Sequence, residues 1–360
     1  MSWLIHGGDL FSASERYGID PAQWLDLSTG INPRAYPLPA LPEEAYQRLP
    51  YQSAQFREAV KGYYGVSGVA CSGTQQVIER LPDLLPCLPV LLPACGYQEH
   101  RASWQQAGAE IAMYPADDPQ AAAEFIEQWL SEGKAFHLLL INPNNPSGLC
   151  FEPEQICRWA ERLPEPGVLI CDEAFIDLWP ARSLLAQPQR FQDLGNLLVL
   201  RSFGKFFGLA GIRLGFAFGS GKLCSALAET IGPWAVNGPA QAVACAALSD
   251  HRWQQQARQQ IEQNSALTAE LFAPLMRKLN AQPLQQEGLF LSWRLPSEQA
   301  EAVYLFFARR GILLRLVSAA EQGDKNSQFS LLRSGLVEQN HSPALEQLRR
   351  VISEYIFTVD

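Results

Sequence analysis

Lys205 stands in the run Ser202-Phe203-Gly204-Lys205-Phe206-Phe207-Gly208-Leu209-Ala210-Gly211-Ile212-Arg213, and of six lysines it alone has glycines and aromatics on both sides. Lysine is seldom buried. Taken out of water, its pKa falls and its amine becomes available for a Schiff base. Ser202 and Arg213 flank it and could converge on one phosphate; a solvated loop lysine with a chance arginine is the plainer reading. Asp172, in Gly167-Val168-Leu169-Ile170-Cys171-Asp172-Glu173-Ala174-Phe175, falls where a buried strand should end. A carboxylate there needs a positive partner or costs several kcal/mol. A protonated pyridine nitrogen would serve, and a helix cap is the alternative. Asn145, in Asn142-Pro143-Asn144-Asn145-Pro146-Ser147-Gly148, lies in a strong turn signal and could donate to a phenolate oxygen. Gly73 and Thr74 open an apolar-periodic stretch with Val77, Ile78, Leu81, Leu84 and Leu85 on one face. Thr74 is the expected N-cap, the free N–H groups behind it form an anion site, and Pro82 should kink or shorten the helix. Each motif is weak alone. In the order Gly73-Thr74, Tyr97, Asn145, Asp172, Lys205, Arg213 they match pyridoxal phosphate chemistry, with a Schiff-base lysine, an acid for the pyridinium and a ring for stacking.

Something rigid must hold these groups. The runs Val90–Leu92, Leu138–Ile141, Val168–Cys171, Leu197–Leu200 and Leu214–Phe218 are short and apolar throughout, as in parallel strands buried on both faces. Between them lie amphipathic segments such as Pro153 to Leu163, with Ile156, Trp159, Ala160 and Leu163 at helical spacing. The alternation predicts an open α/β sheet over residues 36–250, whose ligands bind beyond the carboxyl ends of the strands. From 251 the pattern changes. A long helix over 251–280 precedes strand 288–294, helix 300–310, strands 311–317 and 329–334 and helix 343–356, a smaller α+β domain over 251–360. Residues 1–35 are turn-rich and are expected to pack at the active site or on the small domain.

Composition excludes several classes. Of 360 residues, 47% are hydrophobic and 18% charged, enough apolar material to exclude a mainly disordered chain. A net charge of −9 with no basic stripe argues against nucleic acid, so an anionic ligand must be held by a local cluster of donors. Eight scattered cysteines show no zinc spacing and read as reduced thiols, which points to the cytoplasm, and no metal is expected. Met1 to Leu10 does not read as a signal peptide, and no apolar run approaches the length of about 18 residues that suggests a membrane span.

Ser202-x-x-Lys205 followed by Ala210-Gly211-x-Arg213-x-Gly215 resembles the signature of the fold-type I pyridoxal-phosphate enzymes of the aspartate aminotransferase superfamily, and the resemblance covers nearly the whole chain. It implies a large domain with a mostly parallel, seven-stranded sheet, a small α+β domain and a homodimer. It also implies roles: Lys205 as the Schiff-base lysine, Asp172 on the pyridine nitrogen, Asn145 on the ring oxygen, Tyr97 stacked on the ring, and Gly73, Thr74, Ser202 and Arg213 on the phosphate. Arg333, in Leu331-Leu332-Arg333-Ser334-Gly335-Leu336, matches the arginine that receives a substrate carboxylate.

Two families within the superfamily compete, the histidinol-phosphate aminotransferases and the threonine-phosphate decarboxylases of cobalamin synthesis. His6-Gly7-Gly8, Asp26-Leu27-Ser28-Thr29-Gly30-Ile31-Asn32-Pro33, Tyr97-Gln98-Glu99-His100 with Trp104, Asp172-Glu173-Ala174-Phe175 and Pro233-Trp234-Ala235-Val236-Asn237 are similar to the second. That likeness implies release of CO2 from L-threonine O-3-phosphate to leave (R)-1-amino-2-propanol O-2-phosphate. His6, Ser28, Thr29, Asn32, Asn145, Arg315 and Arg333 are the candidate substrate contacts; a solvated strand residue is the alternative for Arg315 and an ordinary turn histidine for His6. Three positions depart from the related aminotransferases. Arg48-Leu49-Pro50 has Leu where a Tyr reaches a neighbouring subunit's phosphate, Phe175 replaces a Tyr, and Gly204 stands where Ser is common. A ligand-sensing regulator on the same fold would carry a DNA-binding domain in front; residues 1–35 are too few and not basic. A non-catalytic relative would not be expected to keep Lys205, Asp172 and Arg213.

Overall fold

The computed structural model describes residues 6–322 and 327–358; residues 1–5, part of the Met1–Leu10 stretch read above, lie outside them. The chain forms two compact units. One holds Ala35–Asn145 and Leu149–Gln256, the other the described parts of Met1–Arg34 and Ala257–Asp360 together with Pro146–Gly148.

The apolar runs become the middle of a seven-stranded sheet, ordered Val69–Cys71, Gly215–Gly219, Leu197–Ser202, Leu169–Asp172, His137–Ile141, Val90–Pro93, Ile111–Tyr114. Gly215–Gly219 is antiparallel to both its neighbours, and the other pairings are parallel. Two consequences position a site. The chain passes from Val90–Pro93 to the edge strand Ile111–Tyr114 and then returns to the opposite side of Val90–Pro93. The carboxyl ends of Val90–Pro93 and His137–Ile141 therefore diverge at a switch point. The reversed strand also brings its amino end, and so Arg213, to the edge where the other strands finish.

Local signals set the crossovers. Pro153–Arg162 begins with proline at its first position, where no N–H is needed, has Glu154 in its first turn and Arg162 in its last, and buries Ile156, Trp159 and Ala160 as the spacing predicts. Thr74–Leu84 departs from expectation at its start. Its N-cap is Gly73, held at φ 77° with no side-chain cap bond, so Thr74 is the first helical residue. Pro82 lies in the last turn, and the helix ends two residues after it.

The second unit has an antiparallel sheet ordered Arg315–Val317, Phe329–Gly335, Phe290–Pro296, Gln282–Gln285. Its core includes Phe272, Trp293, Phe307, Leu332 and Leu348. The segment expected as one strand over 311–317 is two, Ile312–Leu313 and Arg315–Val317. The first pairs in parallel with Leu25–Asp26, which ties the N-terminal segment to this unit. Leu27 then enters the same core.

Candidate active site

Lys205 lies in a four-residue helix, Phe203–Phe206, that starts as strand Leu197–Ser202 ends. Phe203, Phe206 and Phe207 are fully buried and fasten this turn to the sheet. The lysine is half-buried and its Nζ lies 5.6 Å from the Phe175 ring centroid, so the ring that replaces a tyrosine faces the amine with carbon only. Gly204 has a steric cause: a Cβ there would come within 2.7 Å of Ala210 Cα. A serine would have to displace backbone.

Gly73, Thr74 and Arg213 form a cup. A Cβ on Gly73 would sit 2.8 Å from Arg213 Nη2, and one on Gly215 would sit 2.6 Å from Thr74 N. Both glycines thus leave space where the first N–H groups of a helix and a guanidinium face one another, the donor set a phosphate needs. Arg213 has left-handed backbone (φ 57°, ψ 63°).

Asp172 is 4% exposed. Its Oδ2 lies 2.9 Å from His100 Nε2, and Oδ1 accepts from Ala174 N–H at 3.0 Å, so the carboxylate also acts as the local turn cap. His100 is three residues past Tyr97, one helical turn into Gln98–Gln106, and the two rings meet edge to face at 6.2 Å. In sequence, His100 carries no sign of this role beyond the spacing Tyr97-x-x-His100, which sets the two side chains on one helical turn. Behind Asp172, Glu173 turns away from the cleft. It accepts from Ser183 Oγ and Leu184 N–H, and pairs with Arg201, whose other nitrogen reaches Asp177 at 2.5 Å. This buried network pins the ends of the strands that carry Asp172 and Ser202.

The asparagines after His137–Ile141 divide their work. Asn142 bonds both backbone groups of Phe151, and Asn144 Nδ2 donates to Cys95 O, so both fasten the loop. Asn145 lines the cleft. All eight cofactor candidates, from Gly73 to Arg213, border this one cleft. They could hold a flat aldehyde cofactor with a phosphate tail: an amine for the aldehyde, a buried carboxylate for a ring cation, an aromatic wall and an anion cup.

The remaining candidates lie in the other unit. Ser28 Oγ donates to Asp26 at 2.6 Å and accepts from Gly8 N–H, which fastens the His6-Gly7-Gly8 segment. Arg333 Nη2 donates to Ser28 O. Arg315 faces Arg333 across neighbouring strands. It pairs with Glu321 at 2.6 Å and is 13% exposed, so it is not the solvated residue of the plainer reading. Burial first, then Arg315, pushes the Arg333 guanidinium down to about 9, with Asp26 opposing. The structure therefore gathers Ser28, Arg315 and Arg333. Asn32 is buried and accepts from Arg34 N–H, Thr29 is half-buried, and His6 is exposed.

The family model "Aminotransferase class I and II" matches residues 40–320. The chain is 42% identical to the threonine-phosphate decarboxylase of Pseudomonas aeruginosa, over 87% of this chain and 89% of the relative. It is 38% identical to that of a Sinorhizobium species, over 68% and 72%. Among solved structures it resembles the histidinol-phosphate aminotransferase of Sinorhizobium meliloti in complex with pyridoxal-5'-phosphate, with a TM-score of 0.76 and 18% identity, over 99% of this chain and 96% of that one. This chain belongs to the aminotransferase class I and II family.

Proposed function

We propose that the protein is a pyridoxal-phosphate-dependent decarboxylase that converts L-threonine O-3-phosphate to (R)-1-amino-2-propanol O-2-phosphate and CO2, the reaction that supplies the aminopropanol linker of cobalamin. The reaction follows from the decarboxylase relatives at 42% and 38% identity. The cofactor reading rests on one observation above all: the half-buried lysine and the buried Asp172, held from behind by His100, border a single cleft.

Bound there, the cofactor supplies an electron sink for the bond being broken. The chain's residues do the rest. Lys205 would hold the cofactor at its aldehyde carbon; once displaced by the substrate amine, its own amine, carrying the proton given up by the substrate ammonium, is placed to protonate the α-carbon after CO2 has left. Asp172, oriented by His100 and Ala174 N–H, would present a carboxylate oxygen to a ring nitrogen and favour its protonated form. Tyr97 would wall the ring, and Asn145 would donate to its oxygen. Gly73, the Thr74 N–H, Ser202 and Arg213 would hold the phosphate tail. Arg333 takes the substrate carboxylate, and Arg315, with His6, Ser28, Thr29 and Asn32, the substrate phosphate. The paired arginines suit two oxyanions.

The protein acts as a cytoplasmic homodimer. Leu38, Tyr46, Leu49, Tyr51 and Trp234 are large apolar side chains left exposed on one unit, more than scattered surface residues require. No disulfide joins the eight cysteines. Among the described residues no helix is long and apolar enough to cross a membrane.

Incubation of the holoenzyme with L-threonine O-3-phosphate should release one CO2 per substrate consumed. Keto-acid-dependent amino transfer from histidinol phosphate without CO2 release would overturn the proposal in favour of an aminotransferase.

A further inference from the structure

Gln75 follows Thr74 in the first turn of Thr74–Leu84 and borders the same cleft. Three polar groups meet its amide. Nε2 donates to Glu79 Oε1 at 2.9 Å and to Glu99 Oε2 at 3.0 Å, and Oε1 accepts from the Tyr97 hydroxyl at 3.0 Å. Glu79 is one turn further along the same helix, and Glu99 belongs to Gln98–Gln106. Ionised carboxylates accept and cannot donate. They therefore decide which way the amide faces, since a reversed amide would set its carbonyl oxygen against two carboxylates. The carbonyl is left facing Tyr97, and the phenol must be the donor. It keeps its proton, because burial, then Glu99 and Asp172, push its pKa well up.

We infer that Gln75 is a positioning residue for Tyr97, fixing the ring's angle at the cofactor cleft, and that Glu79 and Glu99 act through it. The inference rests on the cofactor reading of the cleft given above. The physical reason is torsional. The χ2 of tyrosine is a broad, soft angle, and stacking depends on ring tilt. A bond to the far end of the ring removes that freedom where a hinge at Cβ cannot. His100, on the same helix turn, meets the ring edge and holds Asp172. Tyr97 and Asp172 are thereby registered to one helix start, Tyr97 through Glu99 and Gln75, Asp172 through His100.

The test is a double-mutant cycle on the holoenzyme, read by the rate at which pyridoxal phosphate fluorescence appears in solution after dilution and by the visible ellipticity of the bound cofactor. Gln75→Leu should release cofactor faster, on the order of fivefold for one lost neutral hydrogen bond, with weaker ellipticity. Tyr97→Phe should do the same, and Gln75→Leu should add nothing in the Tyr97→Phe background. The Glu79→Gln/Glu99→Gln double variant, which lets the amide turn, should shift both readouts the same way by less. Gln75→Glu, similar in shape but placing a third carboxylate in the cluster, serves should the leucine variant not fold, and the same loss is expected. An unchanged release rate, or an equal effect of Gln75→Leu with and without the Tyr97 hydroxyl, would overturn the inference and leave Gln75 as a support of its helix. A wild-type protein that takes up no cofactor would overturn the underlying reading instead, a result the unsubstituted chain reports before any variant is made.

Discussion

Asp172 and Arg333 are both buried charges, and the molecule treats them in opposite ways. Asp172 has His100 on one oxygen and a backbone N–H on the other, next to a cleft. Arg333 shares its strand pairing with a second arginine, and burial disfavours its charge. The first environment suits a cationic ring nitrogen, the second an anion. Asp172 is oriented by a side chain and a backbone N–H before any ligand arrives, whereas the strand register sets two guanidinium groups opposite one another beside Glu321 and Ser28 O, an arrangement that suits anionic ligands.

That contrast can be broken in graded steps. The largest effect is expected at the lysine between them in chain order. Lys205→Ala should lower kcat by about 10³-fold or more, in line with loss of a nucleophile and proton carrier, read by CO2 release. Arg333→Met comes next. It should raise the KM for threonine phosphate by about 100-fold, read from the substrate dependence of CO2 release. His100→Phe attacks the opposite case. Leaving a buried carboxylate without its partner should cost about 1–3 kcal/mol of stability and a comparable factor, roughly tenfold, in kcat.

The smallest effect is in pH. The folded pKa of Arg333, about 9, lies below its ordinary 12.5. The unfolded chain therefore binds the extra proton between those values, and this group's contribution to stability rises with pH across that window. A bound oxyanion favours the charged form, so substrate affinity should fall as pH rises through about 9. The KM profile of the wild type should show this and that of Arg333→Met should not.

The two regions also differed in how far they could be read from residues alone. The cofactor cleft is made of short motifs at strand ends, where an apolar run, its stop and the next few residues already define a direction. Lys205, Asp172 and Tyr97 stood out as candidates for that reason, and all three border one cleft. Asn145, the asparagine of its turn chosen from sequence, is the one that lines the cleft; the loop-fastening work of Asn142 and Asn144 depends on which backbone each side chain meets and has no local signal. Of the two outer strands, Val69–Cys71 has only three residues, and Ile111–Tyr114, as long as Val90–Pro93, is only partly buried at the sheet edge, so neither was read from the sequence. The arginine cluster depends on register. Arg315 opposes Arg333, and Ser28 meets Arg333 across 305 positions, contacts that no local pattern carries. Likewise Thr74 looked like a cap by type, but Gly73 takes that place because only it tolerates the left-handed backbone and the approach of Arg213.

Borohydride reduction of the cofactor-loaded protein, followed by peptide mapping, tests the central claim most directly. A single pyridoxyl-phosphate mass on the peptide containing Lys205, absent from Lys205→Ala, is the predicted result. A reduced protein with no label at that lysine, or with the label on another, would contradict the account.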